Sequence, residues 1–420
     1  MTDSQDSDPS RAAAAVSEAR QWDRLMQLAK LGAIPGDGVN RPCLSSLDRE
    51  ARRLVIAWAE QAGAAVSIDA AANLFLRREG TDPSLAPVLS GSHMDSQPEG
   101  GRFDGIYGVI AGLEAITALN DAGITTRHPI EVVAWTNEEG GRFAPGCMGS
   151  MAWSGHAPLT SWSHVADQAG ITFAAALAEH LACEADLPHR PLGGTPHAYL
   201  EAHIEQGPLL EAAGRDIGVV TGIQGSRWFS VTLIGASAHA GTAPVGLRRD
   251  AVQDMVRALN ALNTLMHDPD DTLRFTVARI DVTPNTSNSV AGRARFTIDL
   301  RHPDAAILHA KGDAIAATVH AAIRHCEAVI EEHFTADPIS FHPVVVEAVA
   351  DAAAAEGLTA QRLPSGAFHD AQFVVPLAPT GMIFVPSKDG ISHNPAEYSS
   401  PGQLAAGTRV LARSLVALAR

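Results

Sequence analysis

Apolar positions along this chain change texture three times. Near the start they recur at helical spacing. Trp22, Leu25, Met26 and Ala29 line one face, and after Ser45 and Ser46 so do Leu54, Val55, Trp58 and Ala59. Short apolar runs then alternate with helical stretches: a strand at Pro87–Ser90, a Gly/Ala-rich helix at Tyr107–Leu119 and a strand at Ile130–Trp135. Strand, helix, strand at this spacing predicts an α/β sheet with parallel members. Residues 156–196 have weaker periodicity and read as an excursion of helices and loops over that sheet.

A new texture begins near Gly214. The pattern predicts strand Trp228–Ile234, helix Arg249–Met266, strands Leu273–Val282 and Arg293–Leu300, helix Pro303–His325 and strand Glu327–His333. That order, β-α-β-β-α-β, is the split βαβ arrangement of a self-contained inserted domain. A helix at Pro343–Glu356 follows, with strands expected around Phe373-Val374-Val375 and Met382–Val385 rejoining the first sheet. The expected division is therefore a disordered tail over 1–20, one domain from 21–213 and 334–420, and a second domain over 214–333.

Composition narrows the class. At 420 residues, 46% hydrophobic and 19% charged, the chain has the makeup of an ordinary globular protein of two or three domains. No apolar run is long enough to span a bilayer. Thirty-one basic against 47 acidic residues leave a formal charge of −16, which argues against nonspecific nucleic-acid binding and docking on anionic lipid. Cys43, Cys147, Cys183 and Cys326 are widely spaced and read as reduced thiols of a cytoplasmic protein. Met1–Pro9 is polar and acidic, without the basic and apolar regions of a secretory signal.

The candidate chemistry gathers where predicted strands end, which is where open α/β sheets bind ligands. Gly91-Ser92-His93-Met94-Asp95 follows the first strand. His93 offers an imidazole to a metal, and Asp95 is a candidate to hold its other ring nitrogen. Asp104, in Gly100-Gly101-Arg102-Phe103-Asp104-Gly105, has two carboxylate oxygens able to bridge two ions. Thr136-Asn137-Glu138-Glu139-Gly140-Gly141 leaves the next strand. Adjacent side chains diverge, so one glutamate can ligate a metal while the other acts as general base. His203-Ile204-Glu205-Gln206 and Ile391-Ser392-His393-Asn394 add two more histidines. In a chain with 18 histidines, each alone is an ordinary structural residue. As a set, His93, Asp104, Glu139, His203 and His393 are five N/O donors without sulfur, suited to two divalent ions such as zinc, manganese, cobalt or nickel.

Five motifs in this order, G-S-H-x-D-S-x-P-x-G-G-R-F-D-G, N-E-E-G-x-R-F, H-I-E-Q-G-P, A-H-A-G-T-x-P and D-G-I-S-H-N-P-A-E, carry a resemblance. From about Trp22 to the C-terminus the chain resembles the dizinc amidohydrolase (carbamoylase) branch of the aminoacylase–carboxypeptidase metallopeptidase superfamily. That branch includes N-carbamoyl-L-amino acid hydrolases, β-ureidopropionases and allantoate amidohydrolases. The resemblance implies a mixed-sheet catalytic domain with an inserted ferredoxin-like lid and dimerisation domain. It implies that Asp104 bridges two ions, His93 and His203 complete one site, Glu139 and His393 complete the other, and Glu138 is the general base. It implies a cis Asp104–Gly105 peptide, and a His239 that serves the partner subunit's active site in a homodimer. Asn288 and Arg301 match positions that bind the substrate carboxylate, and Gln206, Ser365, Gly366 and His369 match residues bordering the substrate. Phe368 stands where relatives commonly have a small residue, and Ser226 where allantoate enzymes tend to have glutamine.

The implied activity is hydrolysis of an N-carbamoyl amino acid to amino acid, carbon dioxide and ammonia. Alternatives are allantoate or ureidoglycolate hydrolysis, or amide hydrolysis of an N-acyl amino acid, all with the same metal chemistry. A metal-free binding protein or a transferase on this scaffold would lack part of the ligand set or the base, and both are present.

Overall fold

The computed structural model describes residues 8–420. Two units divide the chain: one runs to Thr221 and resumes over Phe341–Arg420, and the other is Gly222–Ser340. The inserted unit thus begins and ends about seven residues later than the change in texture suggested.

The larger unit is built on a mixed sheet. In spatial order its strands are Ile217–Ile223, Thr380–Val385, Ala198–Ile204, Val88–His93, Ile130–Trp135, Leu74–Arg78 and Ala65–Ile68. Ala360–Ser365 pairs with the first of these. The central strands are parallel: Val88–His93 with both Ile130–Trp135 and Ala198–Ile204, and the last with Thr380–Val385. All four are buried along their whole length, which is why they read as continuous apolar runs rather than alternating ones. Their C-terminal ends release His93, Glu138–Glu139, His203 and the His393 loop on one side of the sheet.

Helices Ile106–Asp121 and Pro401–Leu418 pack on each other, and Tyr107 Oη donates to Leu404 O at 3.0 Å. The second of them starts with Ser400 as cap, Pro401 in the first turn and Gln403 closing a capping box.

Met1–Ser7 of the expected tail lie outside the described residues, but the rest of it is ordered. Pro9–Ala14 is a helix capped by Asp8, with Ala12 and Ala13 fully buried, and Glu18–Leu28 is a second helix capped by Ser17. An alanine-rich turn packs closely on a neighbouring helix at little side-chain entropy cost, an effect that composition alone does not expose. Phe373-Val374-Val375 is also not a strand: Ala371–Val374 is a short helix. A three-residue apolar run carries no period, and Asp370 before it starts a turn instead.

The inserted unit has a four-stranded antiparallel sheet in the order Arg274–Thr283, Arg293–His302, Gly225–Ile234, Glu327–Ala336. Helices Ala251–Leu265 and Ala305–Ala322 complete it. Its own core gathers Phe229, Val231 and Leu233 with Phe296, Ile298, Leu300, Leu262, Ile315 and Val319. Among the described residues no helix is long and apolar enough to cross a membrane, and all four cysteines are unpaired.

Candidate metal centre

The strand ends bring the five candidate ligands into two groups that share one carboxylate. His93, Asp104 and His203 form one, and Asp104, Glu139 and His393 the other, with donor atoms of each group within 4.8 Å of one another. Asp104 Oδ1 lies 3.7 Å from His93 Nε2 and 3.2 Å from His203 Nε2. Its Oδ2 lies 3.3 Å from His393 Nε2, which is 3.5 Å from Glu139 Oε2. Glu138 Oε2 stands 3.4 Å from His93 Nε2.

The donor set fits divalent cations. His93 Nδ1 is 2.9 Å from Asp95 O, and His203 Nδ1 is 2.9 Å from Ile204 O. Each carbonyl can only accept, so each Nδ1 carries the hydrogen and each Nε2 turns a lone pair toward Asp104. Lone pairs facing a carboxylate repel unless a positive charge lies between them. This is the way ligating histidines are ordinarily oriented from behind. Without a cation, protons take that place. His203 is pushed up to about 9, because Asp104 outweighs the burial that opposes its charge. His393 is also raised to about 9, by its hydrogen bond to Asp104. His93, the most desolvated of the three in effect, falls to about 4.

The carboxylates show the same tension. Burial pushes Glu139 up to about 8, with Asp104 adding repulsion. Glu138 is raised well above its ordinary range by burial and by the charges of Asp370, Glu139, Asp104 and Asp95. Asp104 is held far below the usual range: burial works against its charge, but hydrogen bonds from His203 and His393 prevail.

Asp95 does not hold the His93 ring through its carboxylate, which is 3.8 Å away; its backbone carbonyl does that. The carboxylate instead accepts from the backbone N–H groups of Glu138 and Glu139 at 3.2 and 3.3 Å. On an extended chain the residue two positions on shares a face, but the strand ends at His93 and the chain turns. Nor is Asp104–Gly105 a cis peptide. Among the described residues the cis bonds are Ala144–Pro145 and Thr283–Pro284. The turn is made by Gly105 itself, at φ 67°. A Cβ there would lie 2.2 Å from His93 Cε1, so glycine is required both for the backbone and for the approach of the imidazole.

The other expected site residues divide between the units. Gln206 Nε2 donates to Asp104 Oδ2 at 2.9 Å and lies 3.4 Å from His393 Nε2, inside the ligand cluster itself. Ser365 Oγ is 2.9 Å from His369 Nε2, and the His369 ring meets His203 edge-on at 4.6 Å. Gly366 lies in the same loop. His239, Asn288 and Arg301 belong to the inserted unit. His239 is exposed on the short strand Ala238–His239, which pairs with Ser289–Val290 next to Asn288. Its Nδ1 accepts from Gly241 N at 3.1 Å, which leaves the hydrogen on Nε2. Arg301 forks onto Asp299, with Nη2 2.8 Å from Oδ2.

Three supporting residues carried no expectation. Gln97 grips Glu139, from its backbone N to Oε1 at 3.2 Å and from Nε2 to Oε2 at 2.9 Å. Cys147 Sγ lies 3.6 Å from Glu138 Oε1. Glu397 accepts from the backbone of Phe103 and Asp104. Glu397 is a fixed position of the last motif, so a signal was present there, whereas Gln97 falls on an unspecified position of the first; only the folded loops show what each holds.

Residues 89–417 match the peptidase family M20/M25/M40. The chain is 41% identical over 403 residues to the N-carbamoyl-L-amino-acid amidohydrolase of Rhizobium meliloti, covering 94% of this chain and 95% of that protein. It is 36% identical over 411 residues to the allantoate amidohydrolase of Escherichia coli (strain K12), covering 96% and 98%. A crystal structure of an amidase of the hydantoinase/carbamoylase family from Burkholderia multivorans superposes with a TM-score of 0.91 at 44% identity, over 96% of this chain and 98% of that one. With matching motifs, a matching fold and a family match over most of its length, the chain belongs to the peptidase family M20/M25/M40.

Proposed function

We propose that this protein hydrolyses the ureido C–N bond of an N-carbamoyl amino acid, giving the amino acid, carbon dioxide and ammonia. The observation that carries this reading is the pair of ligand triads sharing Asp104, with the Glu138 carboxylate beside them. Its supports are the five motifs and the similarity to the Rhizobium meliloti N-carbamoyl-L-amino-acid amidohydrolase.

His93, Asp104 and His203 would hold one divalent cation, and Asp104, Glu139 and His393 a second; zinc, or manganese, cobalt or nickel, suits such donors. When bound, the ions supply Lewis acidity and make a water acidic near neutral pH. Glu138 takes a proton from the attacking water on its carboxylate and delivers it to the leaving nitrogen. Its position beside both ligand groups suits a carboxylate that must accept a proton and return it. Asp95 and Gln97 fix the directions in which Glu138 and Glu139 point.

The inserted unit is read as ferredoxin-like from its β-α-β-β-α-β order, and as a lid and dimerisation domain from the family resemblance. In a homodimer, His239 with its hydrogen on Nε2 is suited to donate to the developing oxyanion of the partner's site. Arg301 is suited to the substrate carboxylate by its planar fork, which already holds Asp299 in that manner. Asn288, Gln206, Ser365, Gly366 and His369 would complete the substrate contacts. A cytoplasmic location agrees with the four unpaired cysteines.

Allantoate hydrolysis is the second reading, supported by the similarity to the Escherichia coli enzyme. Ammonia release by cation-reconstituted protein separates the two, on a panel of N-carbamoyl-L- and D-amino acids, N-carbamoyl-β-alanine, allantoate and ureidoglycolate. For N-acetyl amino acids, free amine is read instead. The expected result is the highest kcat/KM on an N-carbamoyl-L-amino acid. Preference for allantoate or an acetyl compound would overturn the substrate and keep the chemistry.

A further inference from the structure

The two triads are supported unequally. His93 and His203 sit on strand ends, and each is oriented by a backbone carbonyl of its own or the following segment. His393 lies on the loop after Thr380–Val385, half exposed, at φ 51°. Two side chains relate that loop to Asp104: Gln206, described above, and Glu397, which is only 1% exposed. Glu397 Oε1 accepts from Phe103 N at 3.0 Å and Asp104 N at 3.1 Å. Its Oε2 accepts from Ser392 Oγ at 3.0 Å, and the same hydroxyl is 3.1 Å from Asp104 Oδ2. One carboxylate therefore holds the backbone of the shared ligand with one oxygen and the residue before His393 with the other. The fit is close: a Cβ on Gly101 would lie 2.0 Å from Glu397 Oε1. Glu397 is itself fixed, its N–H bonded to Asn394 O at 2.9 Å, in a loop closed by Lys388 N to Tyr398 O.

From this we infer that Glu397 is a positioning residue that locks the His393 loop to the Asp104 loop and thereby sets the affinity of the second cation selectively. The inference rests on the two-cation reading above. His93 and His203 do not depend on Glu397 for their orientation, and Glu397→Gln keeps an oxygen able to accept from Phe103 N and Asp104 N, so this substitution loosens the His393 side while the hold on Asp104 remains. Partners behind a ligand typically contribute about 10–100-fold in metal affinity.

The test is calorimetric titration of cation-free protein with zinc, with bound metal counted by mass spectrometry after gel filtration. Wild type binds two equivalents. Glu397→Gln retains the first with unchanged affinity and binds the second about 10–100-fold more weakly. Ser392→Ala, which leaves the hold on the Asp104 backbone intact, shifts the second affinity in the same direction by less. A merely structural role would weaken both equivalents together and lower the melting temperature of the cation-free protein. Equal loss at both positions, or no loss in Glu397→Gln, overturns the inference while two-cation binding stands. Fewer than two equivalents in wild type overturns the two-cation reading and the inference with it.

Discussion

Both units bury carboxylates, and the surroundings drive them in opposite directions. In the inserted unit Asp254 is 1% exposed, yet its carboxyl is held below the usual range. Burial opposes its charge, but three backbone N–H groups, from Arg324, His325 and Cys326, point at it from 3.0 Å or less, and Arg257 adds an ion pair at 2.7 Å. In the larger unit Asp95 is pushed up to about 7 and Glu139 to about 8, each chiefly by burial. Glu138 is also raised well above its ordinary range, by burial and by the four other acids around it. Fixed dipoles converge on Asp254, so its charge is compensated within the fold. The acids around Asp104 also accept hydrogen bonds, from two backbone N–H groups at Asp95 and from Gln97 at Glu139, but burial and mutual repulsion prevail, and such a group is stable as anions only when a positive charge joins it. The contrast separates an acid whose charge the fold itself compensates from acids gathered where a cation could bind.

The largest effect that tests this contrast is at Glu138. Glu138→Gln preserves shape and hydrogen-bonding size but removes the proton acceptor. We expect kcat to fall by about 10²–10⁴-fold, with two equivalents of metal retained and the melting temperature of the loaded protein little changed. Near-wild-type turnover would remove Glu138 from the base role and leave its raised proton affinity as a consequence of crowding alone.

Next in size is cation removal. Saturation at about 1,000 times the dissociation constant stabilises by about 4 kcal/mol, and chelation forfeits it. The pH dependence of the stripped protein follows from the directions of the shifts. Asp95 and Glu139, raised to about 7 and about 8, favour the folded state at low pH and lose that contribution as pH rises through those values. His203 and His393, raised to about 9, stabilise below their ordinary 6.5 and lose the contribution on the way to 9. All four act in one direction. His93, lowered to about 4, acts the other way but only below 6.5. The melting temperature of chelated protein should therefore fall from pH 6 to pH 9, while that of loaded protein stays nearly level and the gap between them widens. A level curve for the stripped protein would show that the acids are compensated within the fold after all.

The same contrast explains what the sequence disclosed. Residues of metal-ligand type close to apolar runs are what single out His93, Glu139 and His203 in the sequence, and the structure gathers them with Asp104 and His393 into two groups that could hold a metal ion. The β-α-β-β-α-β pattern was legible because each strand of the inserted unit has one face on a single core. Strands Ala65–Ile68 and Leu74–Arg78 and the helix Pro401–Leu418 went unread. The two strands are short, and the helix is buried on most of its surface and shows little amphipathic stripe. The roles of Asp95, Gln97 and Glu397 were hidden for another reason. Each acts on backbone or side chains that only the folded loops bring near, and Glu397 reaches a residue 293 positions away. Local periodicity holds no information at that distance.

The smallest effect, and the one that isolates the compensated acid, is at Asp254. Asp254→Asn keeps one acceptor oxygen, but its amide group must turn N–H toward a backbone N–H, either at Arg324 or at His325 and Cys326. Hydrogen bonds to a charged group contribute about 1.5–3 kcal/mol each way of counting, so a loss of about 2–3 kcal/mol is expected for the inserted unit near neutral pH. Because the folded carboxyl is held below its ordinary 3.8, this contribution is present above that value and disappears as the pH falls below it. The difference between wild type and variant should therefore be constant from pH 5 to 8 and shrink below pH 4. Hydrogen exchange provides the local check: amides of Arg324, His325 and Cys326 should lose protection in the variant at pH 7, while those of Val88–His93 should not. Unchanged protection at 324–326 would mean that the strand Glu327–Ala336 is held by its pairing with Gly225–Ile234 alone. In that event the opposite shifts of the two sets of acids would reflect burial depth and not a division between holding the fold and receiving a ligand.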